Sequence, residues 1–144
     1  MNAAARAVTI VMVEDDEGHA RLIEKNLARA GVSNDVTHFT SGTAALEFLF
    51  GPERRTGEPL LVLLDLNLPD VSGITILERL KASRELQRAP VIVLTTTDDQ
   101  REIQRCYDLG CNVYITKPVN YEAFAQAIRQ LGLFLAVMQV PENS

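Results

Sequence analysis

Short apolar runs alternate along this chain with longer segments in which apolar residues recur at helical spacing. The runs at residues 8–13 and 60–64 are apolar apart from Thr9, which is typical of strands that are covered on both faces. Parallel strands need crossover connections, and the segments between the runs are long enough to supply them as helices. The alternation therefore predicts an α/β domain with a mostly parallel sheet and helices on both faces.

Capping and turn residues divide the pattern into five strands and five helices. The predicted strands cover residues 8–13, 35–39, 60–64, 91–95 and 112–116. The predicted helices start after Asp16, after Ser41, after Ser72, in the stretch from Asp98, and after Pro118. The residues placed to end the first, second and fourth helices are Gly31, Gly51 and Gly110.

Length and charge limit the classes of protein to consider. The 144 residues suit one domain, so we expect a single unit over residues 1–144 with an apolar extension at about 131–144. A formal net charge of -5 gives no general attraction for nucleic acid or anionic membranes. The apolar start ends in acidic residues without a cleavage site, and no run has the roughly 18 apolar residues of a membrane span. We expect a globular cytoplasmic protein whose Cys106 and Cys111 are reduced structural thiols.

Polar side chains follow four of the predicted strands at the point where each strand ends. Because the carboxyl ends of parallel strands meet at one edge of a sheet, we expect these side chains to lie together. They comprise carboxylates, a hydroxyl and an ammonium: Glu14, Asp15, Asp65, Thr95 and Lys117.

The chemistry of these groups favours a metal-assisted phosphoryl site. Carboxylates held close together repel one another unless a cation neutralises them, and Mg²⁺ prefers such oxygen ligands. With the metal bound, Asp65 is suited to attack a phosphoryl group as a nucleophile. Thr95 and Lys117 are suited to hold the transferred oxygens.

Simpler roles compete for several of these residues. Asp16 directly precedes a helix and is interpreted as its cap. Asp65 is a poor candidate for that role because no helix is predicted until Ser72. His19 and His38 are too isolated in sequence to indicate a metal site, so we expect solvated or packed structural roles for both.

Four motifs together resemble the receiver domain of two-component response regulators, the CheY-like fold. They occur in the family's order and spacing: the acidic pair at 14–15, LLDLNLPDVSG around Asp65, VIVLTT around Thr95, and YITKP, which holds both Tyr114 and Lys117. The resemblance implies a flavodoxin-like, doubly wound five-stranded parallel sheet in the order 2-1-3-4-5.

The resemblance also implies a role for each matching residue. Asp65 would accept phosphate from a histidine kinase, and Mg²⁺ would be bound by Asp15, Asp65 and the backbone carbonyl of Asn67. Glu14 stands where many members have aspartate and would orient metal waters. Thr95 and Lys117 would contact the phosphoryl group.

Two further features follow from the same resemblance. Tyr114 would be the aromatic residue that changes orientation in the switch, although its pattern alone fits ordinary strand packing. The Lys117–Pro118 peptide bond would be cis, an arrangement that proline makes accessible.

The C-terminal segment is apolar on nearly every side of its predicted helix. Such a helix must be covered, either by a longer core or by a second subunit. The TTTDD, NVYITKPV and LFLAVMQVP runs resemble the short receivers that partner bacterial phytochromes. That subfamily implies a homodimer, in which Phe134, Leu135 and Met138 are expected at the interface, and a sensor histidine kinase, specifically a bacteriophytochrome, as partner.

Other classes of protein remain as alternatives. A haloacid-dehalogenase-type phosphatase also uses an aspartate nucleophile with Mg²⁺, but it carries a D-x-D motif after its first strand, unlike VEDDEGH here. A non-catalytic dimerisation adaptor would explain the apolar tail but not the acidic cluster. With no DNA-binding segment expected after the receiver, we predict a phosphoacceptor signalling protein rather than an enzyme, acting through a protein contact or a phosphate relay.

Overall fold

The computed structural model describes residues 8–52 and 59–130. Within those ranges, strands and helices alternate without exception. In chain order the elements are β1 (Thr9–Val13), α1 (Glu17–Arg29), β2 (Val36–Phe39), α2 (Gly42–Phe50), β3 (Leu60–Leu64), α3 (Gly73–Ala82), β4 (Val91–Thr95), α4 (Gln100–Leu109), β5 (Val113–Thr116) and α5 (Tyr121–Gln130).

The strands form one parallel sheet in the order β2-β1-β3-β4-β5. The predicted α/β class and strand order are therefore confirmed. Val13 pairs with Leu64 across the β1–β3 ladder, so the two strands end level with each other. On the other side, Thr95 of β4 pairs with Thr116 of β5. This register brings the residues that follow β1, β3, β4 and β5 to one edge of the sheet.

Two apolar layers cover the sheet, one on each face. Alternate residues of each strand point into opposite layers, which is why β3 and β4 are buried along their whole length. The helices α1 and α5 fill one layer with Ala20, Ile23, Leu27, Phe124, Ala127 and Ile128. The helices α2, α3 and α4 fill the other with Ala45, Leu49, Ile76, Leu77, Leu80 and Cys106.

Side-chain caps fix where the helices begin. Asp16 accepts a hydrogen bond from the His19 amide, which confirms its predicted role at α1. Ser41 and Ser72 cap α2 and α3 in the same way. Gly110 ends α4 at φ 111°, a left-handed conformation that favours glycine.

Gly73 allows the start of α3 to approach the end of β3 closely. A Cβ atom built there would lie 2.3 Å from the carbonyl oxygen of Asp65 and 2.6 Å from Leu66 Cα. Any side chain at this position would displace the backbone that carries Asp65. The glycine therefore sets the position of the segment after β3.

The predicted boundaries differ from the structure by one residue in three strands. Asn112, predicted as strand, instead accepts a hydrogen bond from the Val91 amide through its side-chain oxygen at 2.9 Å.

Cys106 and Cys111 are free and buried, which agrees with structural thiols, and burial raises the pKa of Cys106 to about 11. Among the described helices, none combines the length and apolar character needed to cross a bilayer. The predicted extension at 131–144 lies outside the described residues.

Candidate functional site

Four buried polar residues meet where β1, β3, β4 and β5 end. Glu14, Asp65, Thr95 and Lys117 are each no more than 9% exposed. The sheet holds their backbones in place: the Asp65 amide donates to the Val13 carbonyl at 3.0 Å, and the Lys117 amide donates to the Thr95 carbonyl at 2.7 Å. With the exposed Asp15, these residues form what we call the strand-end site.

Lys117 joins two of the carboxylates of this site. Its Nζ donates to Glu14 Oε1 at 2.6 Å and to Asp65 Oδ2 at 3.1 Å, with the Lys117 side chain only 4% exposed. Burial alone would lower the pKa of Lys117, but the hydrogen bonds to Glu14 and Asp65 raise it. Lys117 is therefore held as an ammonium.

The carboxylates outnumber this cation. Carboxylate oxygens of Glu14, Asp15 and Asp65 all lie within 4.8 Å of one another. Burial raises the pKa of Glu14, and the hydrogen bond from Lys117 offsets that effect only in part. Three hard oxygen donors at this spacing, with one ammonium between them, fit a divalent cation such as Mg²⁺.

Asn67 links Asp65 to the end of β4. Its amide donates to Asp65 Oδ1 at 3.0 Å, and its side-chain nitrogen donates to Thr95 Oγ1 at 3.0 Å and Thr96 Oγ1 at 3.2 Å. These contacts use the nitrogen atoms of Asn67. The role of its carbonyl in binding metal stays a prediction.

Both histidines contact the site, which the sequence reasoning did not anticipate. His38 Nε2 lies 2.7 Å from the Glu14 carbonyl, and His19 Nδ1 lies 3.2 Å from Lys117 Nζ. For His38, the signal in the sequence was its place near the end of β2, beside β1 in the predicted strand order. For His19, no spacing rule indicates which way a residue in the first turn of α1 points.

A remote carboxylate ties the segment after β3 to α2. Asp70 accepts hydrogen bonds from the Gly42 and Thr43 amides at 2.9 and 2.8 Å. Bonds from the side chain and amide of Thr43, and from the Gly42 amide, hold the pKa of Asp70 well below its usual range. Asp70 therefore serves as a second cap for α2, from 28 residues along the chain.

Tyr114 lies on β5, away from the carboxylates. Its hydroxyl donates to the Thr97 carbonyl at 2.7 Å, and its amide donates to the Tyr107 hydroxyl at 3.0 Å. We call Thr97, Tyr107 and Tyr114 together the β5 edge. Further along the chain, the Lys117–Pro118 peptide bond is cis. The remaining predicted site residues, Phe134, Leu135 and Met138, lie outside the described residues.

The match to a family model decides the family. A model described as the response regulator receiver domain matches residues 10–129, most of the chain. The chain belongs to the response regulator receiver family. Its members are signalling proteins of two-component systems, so this receiver is a signalling protein.

Three relatives place the receiver more closely. A solved receiver domain from Rhodospirillum rubrum is 68% identical, covers 94% of this chain and 98% of that chain, and has a TM-score of 0.78. The bacteriophytochrome response regulator RtBRR is 33% identical, with 94% of this chain and 80% of that chain covered and a TM-score of 0.76. The response regulator Rcp1 of Synechocystis sp. is 32% identical over 127 residues, which cover 87% of this receiver and 86% of Rcp1.

A solved structure of Rcp1 is of its Mn²⁺-bound form; it is 30% identical, covers 94% of this receiver and 98% of that chain, and has a TM-score of 0.73. These relatives support the phytochrome-associated type that the sequence predicted.

Proposed function

We propose that the protein accepts a phosphoryl group on Asp65 from a phosphohistidine of a sensor histidine kinase. The single observation that carries the proposal is the buried ammonium of Lys117, which bridges Asp65 and Glu14 inside a cluster of three carboxylates. Such an arrangement provides a nucleophile and a fixed positive charge at one point. It supports phosphoryl transfer over a purely structural role.

The chain's own groups perform the transfer. A carboxylate oxygen of Asp65 attacks phosphorus, an O–P bond forms, and the P–N bond of the phosphohistidine breaks with its electron pair going to the imidazole nitrogen. Lys117 binds the transferred oxygens as a cation. Thr95 Oγ1 accepts a bond from Asn67, which does not use its O–H, so that hydrogen can be donated to the phosphoryl group.

Glu14, Asp15 and Asp65, with the carbonyl of Asn67, would hold Mg²⁺. The ion supplies charge neutralisation for the carboxylates and the incoming phosphoryl oxygens when it is bound. Asp15 is exposed, so the ion has a route of entry from solvent.

Phosphorylation by acetyl phosphate tests the proposal without a kinase. We expect Mg²⁺-dependent labelling of the wild type, none in excess EDTA, and none in Asp65→Asn. A matched control is Asp108→Asn, the same change at an exposed acid that accepts a hydrogen bond from Gln104. Labelling of Asp65→Asn at the wild-type level would overturn the assignment.

Phosphate on Asp65 is proposed to act through Thr95 and Tyr114. The added charge and acceptor oxygens would draw in the Thr95 hydroxyl and shift the surface formed by α4, β5 and α5. In wild type we expect phosphorylation to shift the NMR signals of Tyr114, and in Thr95→Ala we expect no such shift. Shifts of Tyr114 in Thr95→Ala as large as those in wild type would contradict the coupling.

The proposed kinase is a bacteriophytochrome acting in the cytoplasm, and it rests on the type of relative that the chain matches. Phosphotransfer from a purified bacteriophytochrome kinase should be faster by at least about tenfold than from an unrelated histidine kinase at equal concentration, the ratio of one 1.4 kcal/mol step. Equal rates from the two kinases would contradict the proposed bacteriophytochrome partner but not the phosphoacceptor role of Asp65.

We also propose that the chain is one receiver unit over residues 1–144 that forms a homodimer through its apolar C-terminal segment. Serine at Phe134, Leu135 and Met138 should give a monomer that still accepts phosphate. A wild type that is monomeric by light scattering at tens of micromolar would contradict the dimer.

A further inference from the structure

Lys117 has a third partner that the proposed reaction does not use. An ammonium carries three N–H donors, and those of Lys117 face Glu14 Oε1, Asp65 Oδ2 and His19 Nδ1. Because an ammonium only donates, His19 Nδ1 must accept. This hydrogen bond therefore requires a neutral imidazole whose proton is on Nε2.

The fold holds His19 in position for this contact. Its amide donates to Asp16 Oδ1 at 2.9 Å in the first turn of α1, and the Asp16 amide donates to Glu14 Oε2 at 3.1 Å. The backbone of His19 is thereby connected to the carboxylate that Lys117 also binds. The His19 side chain is 40% exposed, whereas that of Lys117 is 4% exposed, so His19 reaches solvent and the ammonium does not.

The three partners of Lys117 differ in what the proposed reaction asks of them. Glu14 and Asp65 would also hold the metal ion, and one Asp65 oxygen becomes bonded to phosphorus. His19 has neither task. Of these three acceptors on Lys117 Nζ, His19 is the one that neither reacts nor would hold the metal.

We propose that His19 is a positioning residue for phosphoryl transfer, whose Nδ1 keeps the Lys117 ammonium directed at Asp65. The inference rests on the proposed phosphoacceptor function and adds a residue to it. The positioning role requires the acceptor atom Nδ1 of His19, whereas a structural role in α1 would require only the bulk of the ring.

Two substitutions separate the acceptor from the bulk. His19→Leu fills the space without an acceptor, whereas His19→Asn places Oδ1 on Cγ, where the histidine has Nδ1. The matched control is Arg21→Leu on the same helix, since Arg21 is exposed and pairs with the exposed Glu17. For each protein the phosphorylation rate with acetyl phosphate, the Mg²⁺ affinity and the melting temperature are measured.

We expect His19→Leu to slow phosphorylation by about tenfold, the ratio that follows from losing one hydrogen bond to a charged group. His19→Asn should return to within about threefold of wild type, since a neutral acceptor is restored. Mg²⁺ affinity should stay at the wild-type value in both variants, and Arg21→Leu should match wild type throughout.

Three results would overturn the inference. The first is a wild-type rate in His19→Leu, and the second is an equal loss in His19→Leu and His19→Asn. The third is an ¹⁵N NMR spectrum of the metal-free protein in which His19 Nδ1 carries the proton. A wild type that takes up no phosphate at all would instead defeat the proposed function, and the inference with it.

Discussion

The strand-end site and the β5 edge lie on the same sheet but are held together in opposite ways. At the strand-end site, buried charges contact one another and the carboxylates outnumber the ammonium. At the β5 edge, Tyr114 makes two hydrogen bonds between neutral groups, one to a neighbouring side chain and one to backbone. The first region is arranged to gain from an added cation, whereas the second has its polar groups paired already.

Under the proposed function, the strand-end site would receive the signal and the β5 edge would report it. A site with surplus negative charge responds strongly to Mg²⁺ and phosphate. A neutral pair of hydrogen bonds costs little to exchange, so we expect a modest shift at the end of β4 to be enough to rearrange it. The following substitutions test the contrast, beginning with the largest expected effect.

Removing the ammonium should do the most damage. Lys117→Met leaves Glu14 and Asp65 buried without a counter-ion, and breaking such a pair costs about 3 to 5 kcal/mol of unfolding free energy. Mg²⁺ should restore part of the lost unfolding free energy. Chemical denaturation with and without Mg²⁺ measures the loss and its recovery.

Lys81→Met is the matched control for this change. Lys81 Nζ is hydrogen-bonded to the carbonyls of Gln87 and Ala89, so its loss leaves no buried carboxylate unpaired. An equal cost for the two substitutions would contradict the view that surplus charge distinguishes the strand-end site.

A side chain at the start of α3 should come next. Gly73→Ala places a Cβ against the Asp65 carbonyl, and overpacking of this kind costs about 1 to 3 kcal/mol. Phosphorylation should slow as well, because the segment that carries Asp65 must move. Gly18→Ala is the control, since a Cβ there would meet only the end of the Asp16 side chain, at 3.2 Å. A normal phosphorylation rate in Gly73→Ala would show that the close approach does not position Asp65.

The burial of Glu14 predicts a dependence of metal-free stability on pH. Its pKa is raised in the folded state, so its stabilising contribution is full below the ordinary value of 4.5 and is lost as pH rises through the folded value. In EDTA, Glu14→Gln should therefore gain stability relative to wild type as pH rises above 4.5. Melting curves at several pH values test this, and a constant difference between the two proteins would refute it.

The smallest effect is expected at the β5 edge. Tyr107→Phe removes the acceptor of the Tyr114 amide while keeping the ring, which should cost about 0.5 to 1 kcal/mol. It should also ease the proposed reorientation of Tyr114 on phosphorylation, which NMR would monitor. Tyr121→Phe is the control, because that hydroxyl is 3.5 Å from the Arg29 carbonyl, at the limit of a hydrogen bond. A larger loss of unfolding free energy in Tyr107→Phe than in Lys117→Met would contradict the comparison between the two regions.

The sequence predicted the convergence of the carboxylates but not the contacts around them. Glu14, Asp65 and Lys117 could be placed together because strand ends share an edge, a property of the backbone that hydrophobic pattern reveals. The partners His19, Asp70 and Tyr107 could not, because each reaches another element through its side chain. Such contacts depend on helix orientation and rotamers, which no spacing along the chain encodes.

The most direct test of the central claim is to locate the phosphate chemically. Protein phosphorylated with acetyl phosphate and Mg²⁺ is reduced with borohydride, which converts an aspartyl phosphate to homoserine, and is then digested and sequenced by mass spectrometry. We predict homoserine at position 65 alone, with none when Mg²⁺ is withheld. Modification at Asp15, or at any residue other than Asp65, would contradict the account.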